Sequence, residues 1–252
     1  MKISIITVSY NSEKTIRQTF ESLKKQKIDG FQLECIHIDG LSQDSTMKIA
    51  SEYADFITSI SEKDTGIYDA MNKGIALSTG DIVGILNSDD IYASSDILFK
   101  IVAAFKNNPD CDVVYGNMIM KDFNMSKTTR LWKSSKYQSS AFVKGWHPPH
   151  PSFFVKKSVY SEIGGFDTNL RIAADFDFML RVLEIYNYKS VFINEVLTLM
   201  RSGGTSNNSI RNIIEGNKDV ISAFEKYGIS INPAIYILKR LIPKLSQYKR
   251  LR

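Results

Sequence analysis

The chain is 252 residues long, 43% hydrophobic, 23% charged and 11% aromatic, which excludes disordered and fibrous classes and suffices for one α/β core. Its formal net charge is +5, but Lys239, Arg240, Lys244, Lys249, Arg250 and Arg252 lie between Pro233 and Arg252 with no acid among them, so the body upstream is close to neutral. A nucleic-acid enzyme would spread basic residues over a face of its body, so no nucleic-acid partner is expected.

In chain order, Ile3 to Val8 is a β-branched run that reads as a buried strand. Asn11 and Ser12 are capping types, and Ile16, Phe20 and Leu23 follow at helical spacing. Leu33 to Ile38 reads as a second strand, Asp44-Ser-Thr as the opening of a second helix, and Phe56 to Ile60 as a third strand. Ile67 to Leu77 is helical up to the Thr79-Gly80 stop, Ile82 to Leu86 a fourth strand, Ser95 to Phe105 a helix and Asp112 to Tyr115 a strand. Such alternation predicts a parallel sheet with helices on both faces, with ligands at the carboxyl ends of its strands. Asn11, Asp39, Asp64 and Asn87-Ser88-Asp89-Asp90 each fall just after a strand.

Residues 121–140 are polar and read as a loop or a short antiparallel excursion. Trp146-His-Pro-Pro-His-Pro151 cannot be a regular helix. Ser152 to Val155 reads as a strand, Asp175 to Tyr186 as a helix and Ser190 to Ile193 as a strand. Ile235, Leu238, Ile242 and Leu245 sit at helical intervals, with Pro243 expected to bend or end that helix. The tail fits an amphipathic element on an anionic membrane surface, and equally a helix packed on the body. Cys35 and Cys111 give no disulfide framework and no zinc spacing, so both are expected to be buried free thiols. No run reaches the roughly 18 apolar residues of a membrane span. The N-terminus does not read as a signal peptide. The expected location is cytoplasmic, with a peripheral position at the inner face of the plasma membrane as the alternative.

Four segments carry chemistry. Asp89 and Asp90 end an apolar strand, where carboxylates can hold a hard divalent ion; Asn, Ser and Asp are equally turn residues. Asp64 closes a strand, and Asn72 and Lys73 stand about two turns into the following helix. Lys73 could meet phosphate, or simply be solvated. Asp175 and Asp177 open a helix; Asp177 can pair with Arg181 on its surface, which leaves Asp175 as the candidate general base. His147 and His150 lack a third ligand for zinc, so His150 is read as a contact to a diphosphate or an acceptor, and His37 as structural.

In order, these segments resemble the family 2 glycosyltransferases. The resemblance rests on Ile5-Ile-Thr7-Val-Ser-Tyr10-Asn11, Ile38-Asp39-Gly-Leu-Ser42-Gln-Asp44-Ser-Thr46, Asp64 to Gly74, Ser78-Thr-Gly80-Asp, and Asn87-Ser-Asp89-Asp90. It covers about residues 3–205. It implies a GT-A fold: a Rossmann-like, mostly parallel sheet flanked by helices, with a small antiparallel acceptor-side portion. It implies inversion at the anomeric carbon and a nucleotide-sugar donor, expected to be a UDP-sugar. The acceptor would be a glycan or a lipid-linked glycan, as in cell-surface polysaccharide synthesis. The implied donor contacts are Thr7, Tyr10, Asn11, Asp39 (at the base or ribose), Asp64, Asn72, Lys73, Asn87, Ser88 and His150. Asp89 and Asp90 would hold Mn2+ or Mg2+, and Asp175 would be the base. The implied organisation is a catalytic unit 1–205, with a nucleotide-sugar half 1–120 and an acceptor half 121–205, then a helical basic extension 206–252. Gly40, Asn87 and Ala174 stand where the family usually carries acids. The rival readings are a catalytically silent sugar-nucleotide-binding subunit and a nucleotidyltransferase, the latter disfavoured because no glycine-rich loop follows the first strand. A nicotinamide dehydrogenase would need Gly-x-Gly-x-x-Gly, which is absent.

Overall fold

A computed structural model describes residues 1–203 and 210–249. Arg250 and Arg252 of the basic tail lie outside the described residues. The strands are β1 (Lys2–Ser9), β2 (Gln32–Asp39), β3 (Ile57–Ser61), β4 (Ile82–Ile85), β5 (Ile91–Tyr92), β6 (Val113–Lys121), β7 (Thr128–Trp132), β8 (Phe153–Lys156) and β9 (Ser190–Arg201). The helices are α1 (Ile16–Lys24), α2 (Thr46–Ser51), α3 (Ile67–Leu77), α4 (Ile97–Asn107), α5 (Lys157–Ile163), α6 (Ala174–Leu180), α7 (Ile210–Lys226) and α8 (Pro233–Lys249). The strands form one sheet in the order β3-β2-β1-β4-β8-β6-β9-β5, with β7 on β6.

The first half is a run of parallel pairs, β3 with β2, β2 with β1 and β1 with β4, with a helix following each of β1, β2 and β3. The second half mixes directions: β8 is antiparallel to β4 and β6, β7 antiparallel to β6, and β9 parallel to β6. Side chains of successive strand residues point to opposite faces, and β1 divides itself accordingly. Ile3 and Ile5 pack with Ile16, Phe20 and Leu23 of α1 and Ile101 of α4 on one face. Ile6 and Val8 pack with Met71 of α3 and Phe178 of α6 on the other. Both cysteines are buried and free, as expected.

Several elements differ from the sequence reading. The helix expected over 175–186 is α6 followed by a π-helical turn, Arg181–Ile185. The strand expected to stop at Ile193 runs to Arg201, because a register irregularity between Tyr115 and Asn117 of β6 accommodates Asn194 and Glu195. Helix α8 continues past Pro243 rather than ending there. Asp177 and Arg181 do pair, at 2.9 Å, but both are buried rather than on the surface. The C-terminal helices pack onto the body: Phe224 of α7 meets Phe176 of α6 edge-on at 5.5 Å and Tyr236 of α8 at 5.1 Å. Among the described residues, no helix is long and apolar enough to cross a membrane.

Candidate active site

The carboxyl ends of β1 and β4 and the loop into α3 open on a cleft of about 810 Å³, within the range of small-ligand sites. Tyr10, Asn11, Asp64, Asn87, Ser88 and Asp89 all line it, as the sequence reading expected. Tyr10 is 65% exposed, an aromatic face open to a ligand. Asn11 turns the chain with φ +50, its Oδ1 accepting from the Gln43 amide and its own amide donating to Ser42 Oγ. Ser88 Oγ lies 2.9 Å from Ser12 Oγ, which joins the end of β4 to the loop after β1. Asp64 Oδ1 accepts from the Gly66 amide. A Cβ at Gly40 would sit 2.4 Å from Asp64 Oδ2, so the glycine is what lets Asp64 lie against the end of β2.

Asp89 and Asp90 are neighbours with opposite fates. Asp89 faces the cleft, and burial pushes its pKa above the ordinary value against the pull of Arg201. Asp90 is fully buried; one carboxylate oxygen accepts from the Arg201 amide at 3.2 Å and the other from Asn87 Nδ2 at 3.2 Å. Burial first, then the charge of Asp89, push the Asp90 pKa well above the carboxylate range. Both Asp90 oxygens thus brace the turn, and of the two acids expected to hold a metal only Asp89 lines the cleft.

Five of the expected donor residues, Thr7, Asp39, Asn72, Lys73 and His150, are not in the cleft lining. Thr7 is buried within β1, its Oγ1 without a partner among the described residues. Asp39 is buried at the end of β2 and accepts from the hydroxyls of Ser9, Ser42 and Ser61 and from the Ser42 amide. Burial alone would raise its pKa, but these bonds outweigh it and hold the carboxylate below its ordinary value. Asn72 clasps the backbone of Phe166, donating to its carbonyl at 2.9 Å and accepting from its amide at 2.8 Å. Lys73 is engaged by Glu62 at 3.0 Å, by Asp69 at 3.7 Å and by the Lys63 carbonyl. His150 is buried edge-on to Phe166, and burial lowers its pKa against the field of Asp175. His37 is structural, as expected: it bridges Ser9 and Ser59, and burial pushes it down to about 4.

Asp175 sits in the first turn of α6, half-buried, and is not itself in the cleft lining. Its Oδ1 accepts from the Tyr68 hydroxyl at 3.2 Å, and Tyr68 is part of the cleft wall. The same hydroxyl reaches the Ile172 carbonyl at 2.7 Å, and burial beside Asp175 raises the phenol pKa far above normal.

Two cleft residues escaped the sequence reading. Arg201, at the end of β9, donates through Nε to the Asp89 carbonyl and through its terminal nitrogens to the Phe123 carbonyl and Gln18 Oε1. It thereby ties the Asp89 turn, the β6–β7 loop and α1 together. Tyr68, inside the Asp64 to Gly74 segment, had no role assigned to it. A lone arginine ending an apolar strand was the available signal for the first; nothing local marked the second.

For a divalent cation, the fitting groups are the Asp89 carboxylate, a hard oxygen donor, and Asn87 Oδ1, a buried acceptor with no partner among the described residues. No group of three or more His, Cys, Asp or Glu among the described residues could enclose an ion. A cation here would be completed by ligand phosphates and water, as small hard cations commonly are.

A mixed sheet whose parallel half carries a cleft at its strand ends, with acids in the wall, is the architecture of an α/β ligand-binding enzyme. The model of the family described as "Glycosyl transferase family 2" matches residues 4–164. An uncharacterized glycosyltransferase of Mycobacterium tuberculosis is 32% identical over 184 residues, 71% of this chain and 68% of that protein. A PGL/p-HBAD biosynthesis glycosyltransferase of Mycobacterium bovis is 29% identical over 182 residues, with the same 71% and 68% shares. Among solved structures, S. aureus TarS in complex with UDP-GlcNAc superposes with TM-score 0.67 at 19% identity, covering 95% of this chain and 70% of that one. A mannosyltransferase from Pyrobaculum calidifontis in complex with GDP-Man and Mn2+ gives TM-score 0.69 at 19% identity, covering 94% and 68%. The chain belongs to glycosyltransferase family 2 and is a glycosyltransferase of GT-A fold.

Proposed function

We propose that the chain is an inverting transferase that moves a sugar from a nucleotide-sugar, a UDP-sugar first among candidates, to a hydroxyl of a glycan or lipid-linked glycan. The observation that carries this reading is the division of labour around one cleft. Asp89 stands in its wall, and Asp175 is bonded to Tyr68 of that wall from a different element. Tyr10, Asn11, Asp64, Asn87 and Ser88 are the donor contacts in this reading. Mn2+ or Mg2+ would be held by Asp89 and would neutralise charge on the departing diphosphate. Asp175 accepts the proton of the acceptor hydroxyl, whose oxygen bonds to the anomeric carbon as the bond from that carbon to the phosphate oxygen breaks. A single displacement inverts the centre and needs no protein nucleophile. Tyr68 orients the base, and Arg201 fixes the turn that presents Asp89.

The acceptor side favours a membrane-borne substrate. Helix α8 turns Tyr236 inward and leaves Ile235, Leu238 and Leu241 exposed beside Lys239, a pattern suited to an anionic bilayer surface. Ile235→Asp/Leu238→Asp should abolish co-sedimentation with vesicles containing anionic lipid. Equal sedimentation of the variant and the parent would remove this part of the reading.

The class of donor is tested with a panel of UDP-glucose, UDP-galactose, UDP-GlcNAc and GDP-mannose, with Mn2+ or with chelator. Metal-dependent binding and slow release of nucleoside diphosphate from one UDP-sugar is expected. Binding without release in the presence of lipid-linked acceptors would favour a silent binding subunit.

A further inference from the structure

The segment that carries Asp175 is not held by its own helix. Ala173 precedes α6 without capping it through a side chain. Its backbone is secured instead from α7, 46 to 47 residues downstream. Asp219 Oδ2 accepts from the Ile172 amide at 2.7 Å and from the Ala173 amide at 3.1 Å. The Ile172 carbonyl accepts from the Tyr68 hydroxyl, which also bonds Asp175. One peptide unit thus lies between a carboxylate on α7 and a phenol on α3, and the candidate base follows three residues later.

Close packing supports the same contact. A Cβ at Gly216 of α7 would lie 3.0 Å from Ile172 Cγ2, so α7 approaches this segment as nearly as a glycine allows. Arg171 and Ile172 are themselves part of the cleft lining. Helix α7 lies outside residues 4–164, the stretch matched by the family model.

We infer that Asp219 is a positioning residue for transfer: through its bonds to Ile172 and Ala173 it sets the orientation of Tyr68 and Asp175 toward the cleft. The inference rests on the reading of Asp175 as the base. Asp219 lies outside the cleft lining, so its loss acts on turnover and spares donor binding. Misplacing a reacting group by about 1 Å costs on the order of 100-fold in rate. The expected loss for Asp219→Ala is therefore about 10- to 100-fold in kcat, with donor Kd within about twofold of the parent. Both bonds go to one oxygen, so the side-chain carbonyl of Asp219→Asn can accept both, and that variant should stay within about threefold of the parent kcat.

The experiment uses the full chain, Mn2+ and the four donors named above, with water as acceptor. It reads release of nucleoside diphosphate, donor affinity by calorimetry, and amide hydrogen exchange over residues 172–175. Asp219→Ala should speed exchange there and lower kcat alone; Asp219→Asn should do neither. Parental kcat or unchanged exchange in Asp219→Ala would overturn the inference. An equal fall in both variants would overturn it too, since that would mark a role for the charge. If Asp219→Ala does not accumulate as folded protein, Tyr68→Phe takes its place, and parental kcat there has the same force. Asp175→Asn is the reference: if it turns over normally, the base reading falls, while hydrogen exchange still reports whether Asp219 orders the segment.

Discussion

Replacing Arg181 by methionine should destabilise the protein severely, because the guanidinium serves two groups at once. Its Nε lies 2.9 Å from Asp177 Oδ2, and Asp177 is 0% exposed. Its terminal nitrogens donate to the carbonyls of Ile163, at 2.6 Å, and Gly165. Methionine fills much of the same volume but, among the described residues, leaves the carboxylate with the Tyr227 hydroxyl, at 3.0 Å, as its one hydrogen-bond partner. Breaking one side of a buried pair costs about 3–5 kcal/mol. At roughly 2–4 °C per kcal/mol for a chain of this size, Tm should fall by about 6–20 °C. Thermal unfolding followed by circular dichroism measures it. The double variant Asp177→Asn/Arg181→Met should recover about 1–2 kcal/mol, since no uncompensated charge remains. A fall of less than about 2 °C for Arg181→Met, or no recovery in the double variant, would refute the argument.

Asp90→Asn tests the distinction between the two adjacent acids. The folded Asp90 pKa is raised above 3.8, so the folded state holds its proton more tightly than the unfolded chain, and stability falls as pH rises from that value through the folded pKa. The amide lacks this decline, so its Tm relative to the parent should be near parity at pH 4 and higher at neutral pH. Calorimetric titration with Mn2+ and donor should show binding retained; loss of metal-dependent binding would make Asp90 a ligand after all. Asn72→Ala removes both bonds to Phe166 and should cost about 1–3 kcal/mol in denaturant unfolding. Its donor affinity should be unchanged, and a weakened Kd at unchanged stability would restore Asn72 to the donor site.

Period and order made the fold legible. The apolar spacing of Ile67 to Leu77 gave α3 with the bounds observed, and the β-branched runs gave β1 to β4 within a residue or two. What lay beyond reach was long-range. Strand β9 is interrupted by Asn194 and Glu195, which fall where its register with β6 is irregular, Asn117 Nδ2 reaching Asn194 Oδ1 at 3.3 Å. At the site, the sequence located the loops but not the direction of each side chain within them. Asp89 and Asp90 are indistinguishable in sequence, yet the turn closed by the Asp90 amide on the Asn87 carbonyl sends one to the cleft and the other inward. Asn72 and Lys73 were placed on the right helix, but on faces that meet the Phe166 loop and Glu62 rather than the cleft. Arg201 was silent because its partners, Gln18, Asp89 and Phe123, are scattered through the chain.

The central claim is that Asp89 serves donor binding and Asp175 serves the chemical step. The direct test compares Asp89→Asn and Asp175→Asn with the parent, using calorimetry for donor binding in Mn2+ and single-turnover release of nucleoside diphosphate. Asp175→Asn should bind donor within about twofold of the parent and lose about 10²- to 10⁴-fold in turnover, the usual span for a general base. Asp89→Asn should lose metal-dependent binding itself. If Asp175→Asn loses donor affinity in step with its rate, or Asp89→Asn binds donor and metal like the parent, the division of roles is wrong.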